Sequence, residues 1–373
     1  MNVLYAPEQQ SFRESVARFV SDTAAFRRQP RGTSGHFSEA IWEGLAELGC
    51  LGLGFPESAG GHGGGAVDIG IVAEELGKGL VLEPYISTVV AASAIAKAGS
   101  AQQQAVWLPR VTTGRLKLSL ACEDAEAAPT CARDSGSGWT LQGRKHFVAD
   151  APLADAFVVS TFMAGDPSDP GLFLVPRDSP GLRQTAFQTL DGRLAAHLDF
   201  EQVQLDSDAR LQAASGFDVL HATMDQLVTA HCSDAVGCMQ VLMERTVAYT
   251  KARKQFGRPV SDNQVIRHRM VDMAIQCEEA RAATLRAELY MQLPALERAR
   301  AVSSTKVKIC RASTFVSEGA IQLHGAMGVT DELDVGHHVR RLLKIRSCNG
   351  TERDHRVRLA RLRNEGMAAA EVN

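Results

Sequence analysis

Apolar residues recur at three- and four-residue steps near the start of the chain. Phe12, Val16, Phe19 and Val20 fall on one helical face, and Ile41, Leu45 and Leu48 repeat the arrangement. Around Arg115 the period changes, because Leu116, Leu118 and Leu120 alternate with Lys117 and Ser119 at the step of two that a strand requires. Strand-like runs follow at Trp139 to Leu141, Phe157 to Thr161, Leu172 to Val175 and His197 to Val203, separated by Gly, Asp, Ser and Pro. From Val219 the helical period returns. Ile266, Met270, Met273, Cys277 and Ala280 keep a 4-3-4-3 rhythm, the seam of a helix packed on other helices. Ile309, Ala312, Val316, Ala320 and Leu323 form another such face, which Gly325 ends. The pattern predicts an α+β chain: helical over 1–115, all-β over 116–218 and helical over 219–373, with no parallel sheet anywhere.

A chain of 373 residues with 45% apolar content is large enough for one large domain or two to three smaller ones. Its net charge of −3 gives no overall reason to expect nucleic acid or an anionic membrane, and no apolar run reaches the ~20 residues needed to span a bilayer. The polar N-terminus lacks the features of a secretory signal, so a cytoplasmic location is expected. The eight cysteines include no Cys-x-x-Cys pair and read as small buried apolar residues. His337 and His338 are adjacent, which on a helix points them apart, and no metal is expected. The glycines around His62 lack the Gly-Lys-Ser/Thr ending of a phosphate loop and read as a connector. Residues 340–363 carry nine basic residues against Glu352 and Asp354, but no aromatic residues that would stack on bases. Gly325 suits either a helix C-cap or a close cofactor contact, since glycine takes positive φ freely.

The segment QLHGAMGVTDE from Gln322, with VRRLLKI from Val339 and NGT from Asn349, resembles the C-terminal signature of the acyl-CoA dehydrogenase family. ARKQFGRPVSDNQVIRHRMVD from Ala252 resembles that family's flavin and dimer segment, and LGLGFPESAGGHGGGAVDIGIVAEELGKG from Leu51 its N-terminal domain. The resemblance implies an N-terminal helical domain, a central β-barrel domain and a C-terminal four-helix bundle. It implies FAD as cofactor, an acyl-CoA thioester as substrate and an electron-transfer flavoprotein-type acceptor. In that chemistry a carboxylate removes the α-proton and the flavin takes the β-hydrogen as hydride, since no side chain accepts a hydride.

Matched residue by residue, the likeness is uneven. The base of most members lies in Glu-Gly-Thr, which here is Asn349, Gly350 and Thr351, and an amide cannot take up a proton near neutral pH. Some relatives hold the base on the first long C-terminal helix, where alignment on Gly237 puts Leu227. Asp234, two turns on, could face the same cavity or pair with a nearby cation, and Glu352 is a further candidate. The flavin loop of the family corresponds to residues 121–129, which lack its glycines and Ser-Asp; Phe147 and Ala149 stand where Trp and Thr would be. Arg253, Phe256, Gln322, His324 and Gly325, which a neighbouring subunit contributes to the flavin, are intact, with Arg253 suited to the pyrophosphate. On the CoA side Asp225 is kept, while the usual arginine is Val228. Residues 74–85 and 354–362 resemble the small-subunit branch, which includes pimeloyl-CoA dehydrogenase small subunits. Three readings stand: a subunit that completes a related partner's site in a hetero-oligomer, a self-sufficient homo-oligomer with a relocated base, or a structural homologue without flavin.

Overall fold

A computed structural model describes residues 5–23, 37–164, 166–212 and 215–371. In chain order the helices and strands are α1 (Pro7–Thr23), α2 (Glu39–Glu47), α3 (Ala66–Lys78), α4 (Tyr85–Ala98) and α5 (Ala101–Thr112), then β1 (Leu118–Ala121), β2 (Cys131–Asp134), β3 (Gly138–Ala149), β4 (Ala156–Met163), β5 (Asp166–Pro176), β6 (Leu182–Gln188) and β7 (Leu194–Asp206). They continue with α6 (Gly216–Ala252), β8 (Lys254–Gln255), β9 (Arg258–Pro259), α7 (Gln264–Tyr290), α8 (Ala295–His324), α9 (Val335–Ser347) and α10 (Glu352–Glu371). Backbone contacts group the chain into two compact units. One holds Met1–Arg28, Ala66–Val81 and Val228–Asn373, the other Gln29–Gly65 and Leu82–Leu227. Among the described residues, no helix is long and apolar enough to cross a membrane.

The second unit is built on a mixed seven-stranded sheet in the order β1-β4-β2-β3-β7-β6, with β5 also on β4. Alternation along β4 explains its place. Ala156 and Val158 join a core with Ile95 and Leu108 of the helices, while Phe157 and Val159 join another with Leu141, Leu198 and Phe200. A strand buried on both faces suits parallel neighbours, and β4 pairs parallel with β1 and with β2. The expectation of no parallel sheet is therefore wrong. Leu118 meets Ala156 only after the intervening β2–β3 hairpin, a crossover that strand periodicity does not encode.

The first unit packs α6 to α9 around one core, in which Met239, Met273, Val316 and Leu342 are fully buried. Both helical faces read from the sequence turn inward: Met270, Met273 and Ala280 on α7, and Ile309 to Leu323 on α8. At Gly237 a Cβ would lie 2.0 Å from the Glu74 carbonyl oxygen, so α3 and α6 approach closely only because this residue has no side chain.

One acid belongs to this core. Glu288 of α7 is buried, its Oε1 2.7 Å from Ser233 Oγ on α6, while that hydroxyl also lies 3.1 Å from the Thr229 carbonyl oxygen. Burial pushes the Glu288 pKa up to about 8; the Ser233 bond and Arg281 oppose the rise, and the Glu74 and Asp68 carboxylates add to it. The folded chain then holds a proton that the unfolded chain releases above its ordinary value of 4.5. This contribution to stability is complete below that value and is lost as pH rises toward 8. Thermal unfolding from pH 5 to 8.5 is expected to show a falling midpoint that Glu288→Gln flattens; an unchanged slope in the variant would rule the acid out.

Candidate functional site

The Asn349-Gly350-Thr351 turn is tied at four points. Lys306 of α8, fully buried, donates from Nζ to the carbonyl oxygens of Ile345 and Cys348, which fixes the end of α9. A cation at a helix C-terminus complements the dipole there, which helps a buried ammonium to be tolerated. Asn349 has φ 55°, a left-handed conformation that asparagine adopts more readily than most residues. Its side-chain Nδ2 lies 3.1 Å from Nδ1 of the buried His231 on α6, and its carbonyl oxygen lies 2.9 Å from His355 Nε2. Thr351 donates to Asp354 Oδ2 from its N–H at 2.9 Å and its hydroxyl at 2.7 Å, opening α10. These two bonds hold the Asp354 carboxyl below its ordinary range.

The titratable residues read from the sequence are distributed differently. Asp234 is buried and its Oδ2 accepts from Arg341 Nη1 at 3.0 Å, so this carboxylate is committed to a guanidinium. Glu352 accepts from Arg311 Nε at 2.9 Å. The ionisable side chain bonded to the Asn349 side-chain amide is instead His231, one helical turn beyond Leu227 in sequence. Sequence reasoning missed it, and its only signal was that i, i+4 spacing. Asp225 and Leu227 lie earlier on α6, in the other unit, both buried.

A second group sits where α6 and α8 end. After Ala252 the chain makes a two-residue hairpin between β8 and β9, with Phe256 at φ 51° and Gly257 at φ 81°. Positive φ at both turn residues is the type I′ arrangement that matches strand twist. Phe256 is 101% exposed, an aromatic ring held wholly in solvent, and Arg253 is exposed beside it in sequence. Gln322 and Gly325 are exposed at the end of α8, where Gly325 has φ 59°. His324 is buried between them, with Nδ1 2.8 Å from the Ala320 carbonyl oxygen and its ring stacked on Tyr249 of α6 at 4.5 Å.

In the sheet unit, residues 121–129 fold back on β3. Ala125 N–H donates to Arg144 O at 3.0 Å, Arg144 N–H to Ala128 O at 2.9 Å and His146 N–H to Glu123 O at 2.7 Å. Ala128 N–H donates to Ala125 O, and Thr130 N–H to Asp124 Oδ1 at 2.8 Å. Below the loop the fully buried Lys145 pairs with Asp124 at 2.7 Å. Burial pulls the Lys145 pKa down, and the Asp124 bond and charge oppose the fall. A groove of about 720 Å³ beside the loop is lined by Asp124, Glu126, Arg144, His146, Asp199 and Glu201. Phe147 has φ 46°, strained for an aromatic residue, and its ring lies 5.8 Å from that of Phe187. The carbonyl of Ala149 accepts from Ser119 Oγ at 2.6 Å.

Three family descriptions match the chain: Acyl-CoA dehydrogenase, N-terminal domain over residues 6–115, middle domain over 121–205 and C-terminal domain over 214–362. The mitochondrial short-chain specific acyl-CoA dehydrogenase of Homo sapiens is 30% identical over 341 residues, covering 87% of this chain and 82% of its own. Among solved structures, the ChsE4-ChsE5 complex from Mycobacterium tuberculosis matches with a TM-score of 0.89 at 24% identity, over 97% of this chain and 98% of that one. A variant of the Tcur3481-Tcur3483 steroid ACAD matches with a TM-score of 0.87 at 29% identity, over 97% and 99%.

Proposed function

The chain belongs to the acyl-CoA dehydrogenase family, and we propose that within it this protein is a small-subunit type that completes the flavin site of a related, catalytically complete partner. Members of the family bind FAD and are oxidoreductases acting on CH–CH bonds. Bound FAD supplies a hydride acceptor, and the protein must supply a base for the α-proton of the thioester. Asn349, which we align with the family's base, cannot act as one. Asp234 and Glu352 each already hold an arginine, which weighs against a relocated base.

The observation that carries the reading is an asymmetry between two halves of a flavin site. On this chain's own half, the N–H groups of Ala125, Ala128 and Thr130 that could meet a phosphate or a flavin ring are spent inside the loop. In the adjoining groove Asp199 pairs with Arg144 and Glu201 with Arg183, so the lining guanidinium is already engaged by a carboxylate, and Glu126 adds a further negative charge against a pyrophosphate. FAD does not fit there. The other half is presented outward: Arg253, Phe256, Gln322 and Gly325 are exposed at the ends of α6 and α8. A guanidinium and helix-end groups facing solvent fit a cofactor held by another subunit. Phe315, Val271 and Ile275, large apolar residues exposed on α7 and α8, support a subunit contact on these helices. The solved relatives named ChsE4-ChsE5 and Tcur3481-Tcur3483 are themselves pairs of chains. An acyl-CoA substrate, an electron-transfer flavoprotein-type acceptor and a cytoplasmic location belong to this reading.

The test is flavin stoichiometry. Expressed alone the chain is expected to be colourless, and purified with a related subunit that carries Glu-Gly-Thr it is expected to yield one FAD per pair. A yellow chain on its own with one FAD per copy overturns the reading in favour of a self-sufficient homo-oligomer. Asn349→Glu made in this chain within the pair separates the two again. No change in rate is expected, whereas a rise toward roughly twice the pair's rate, as a second site with a working general base would add, would mean that flavin and substrate reach this turn.

A further inference from the structure

We propose that Tyr249 and His324 are positioning residues, whose stacked rings lock the end of α6 to the end of α8 so that Arg253 and Gln322 meet a partner's flavin as one preset surface. The inference rests on the lending role argued above. The two rings lie 4.5 Å apart at 30°, at the close end of the roughly 4.5–7 Å range of productive ring pairs. Tyr249 is one helical turn before Arg253, whose N–H donates to the Tyr249 carbonyl at 2.8 Å, so the ring and the guanidinium leave the same turn of α6. His324 lies in sequence between Gln322 and Gly325.

His324 is fixed from two directions. A carbonyl oxygen only accepts, so the 2.8 Å contact with Ala320 puts the ring hydrogen on Nδ1 and holds the imidazole in its plane. Tyr249 holds it from the face. Burial keeps the His324 pKa below its ordinary value, against the opposing Ala320 bond and Asp334, so the stacked ring stays neutral at physiological pH. Beyond this contact the two segments run out into solvent, from Arg253 to Gly257 on one side and through Gly325 and Ala326 on the other. A flavin that meets Arg253 and Gln322 together requires a set spacing between the two helix ends, and preset geometry lowers the ordering cost of binding.

The experiment uses the complex of this chain with a Glu-Gly-Thr subunit, and reads the FAD dissociation constant by flavin fluorescence together with kcat and KM. Tyr249→Ala is expected to weaken FAD roughly three- to tenfold, and Tyr249→Phe, which keeps the ring, to restore it to within about twofold. Where the alanine variant fails to assemble, Tyr249→Leu keeps part of the apolar volume without the π-face and is judged by the same outcomes. FAD affinity unchanged in Tyr249→Ala or Tyr249→Leu, with only a lowered unfolding midpoint, overturns the proposal, since the ring would then be packing alone. Arg253→Ala run in parallel separates the levels. Weaker FAD there but not at Tyr249 rejects the positioning role only, while no effect at either position rejects the lending role with it.

Discussion

Arg341→Ala is expected to lower the unfolding free energy by about 3–5 kcal/mol, the range for removing one partner of a buried ion pair. The arginine is 1% exposed and Asp234 2%, so neither charge has water to fall back on. Arg341 Nη1 donates to Asp234 Oδ2 at 3.0 Å and Nη2 to the Val81 carbonyl at 3.1 Å, so one side chain of α9 ties both α6 and the chain just after α3. Truncation would take the guanidinium from the buried Asp234 carboxylate, with the Cys238 thiol at 3.6 Å, a weak donor, among the groups that remain. It cannot escape by a shift of α3, because Gly77 already sits so close that a Cβ there would lie 2.3 Å from the Asp234 carbonyl oxygen. The double variant Asp234→Asn with Arg341→Met removes both charges and should recover most of the loss. Chemical denaturation of the three proteins checks this. A single-variant loss below about 1 kcal/mol would mean that the pair is worth no more than an exposed one.

What the sequence revealed followed from periodicity, and what it hid lies in pairings between distant residues. The stripes through Val16 and Val20, Ile41 and Leu45, and the long faces of α7 and α8 could be read because a buried helical face repeats every three to four residues wherever the helix packs. Strands β2 and β6 escaped notice because Cys131–Asp134 is short and half polar, and Leu182–Gln188 lies at the sheet's edge with little to bury. Parallel pairing on β4 escaped for another reason, since register depends on partners far along the chain. At the site, the Asn349 turn was visible as a motif, but its tie to His231 spans 118 positions, and the i, i+4 spacing of His231 from Leu227 does not point to Asn349. For Asp234 the sequence left a cavity-facing acid and a paired acid both open, and only three-dimensional contact brings Arg341 to it. The exposure of Phe256 was hidden too, because an aromatic residue beside Gly257 reads equally well as a core residue.

Arg253→Ala in this chain alone, purified with a complete partner, is expected to weaken the partner's FAD by roughly 10- to 150-fold, the equivalent of the ~1.5–3 kcal/mol carried by a hydrogen bond to a charged group. Among the described residues the Arg253 guanidinium has no ion pair in its own chain, so its loss should cost this chain little stability, and the effect should appear on the cofactor. Arg253→Lys keeps the charge but loses the planar fork, and should recover only part of the affinity. Raising the salt concentration should narrow the gap between the native chain and Arg253→Ala, because the group is exposed and screening acts on it. The survival of Gly350 and Thr351 beside a lost base does not speak against this reading. Gly350 takes φ 89° with His355 Nε2 only 2.8 Å from where a Cβ would stand, and Thr351 caps α10 through Asp354. Both are therefore held by the turn itself, with or without a flavin, whereas among the described residues no contact of this kind holds the side chain of Arg253. Unchanged FAD affinity and rate in the alanine variant would leave Arg253 as an ordinary surface residue and end the case for a site shared between subunits.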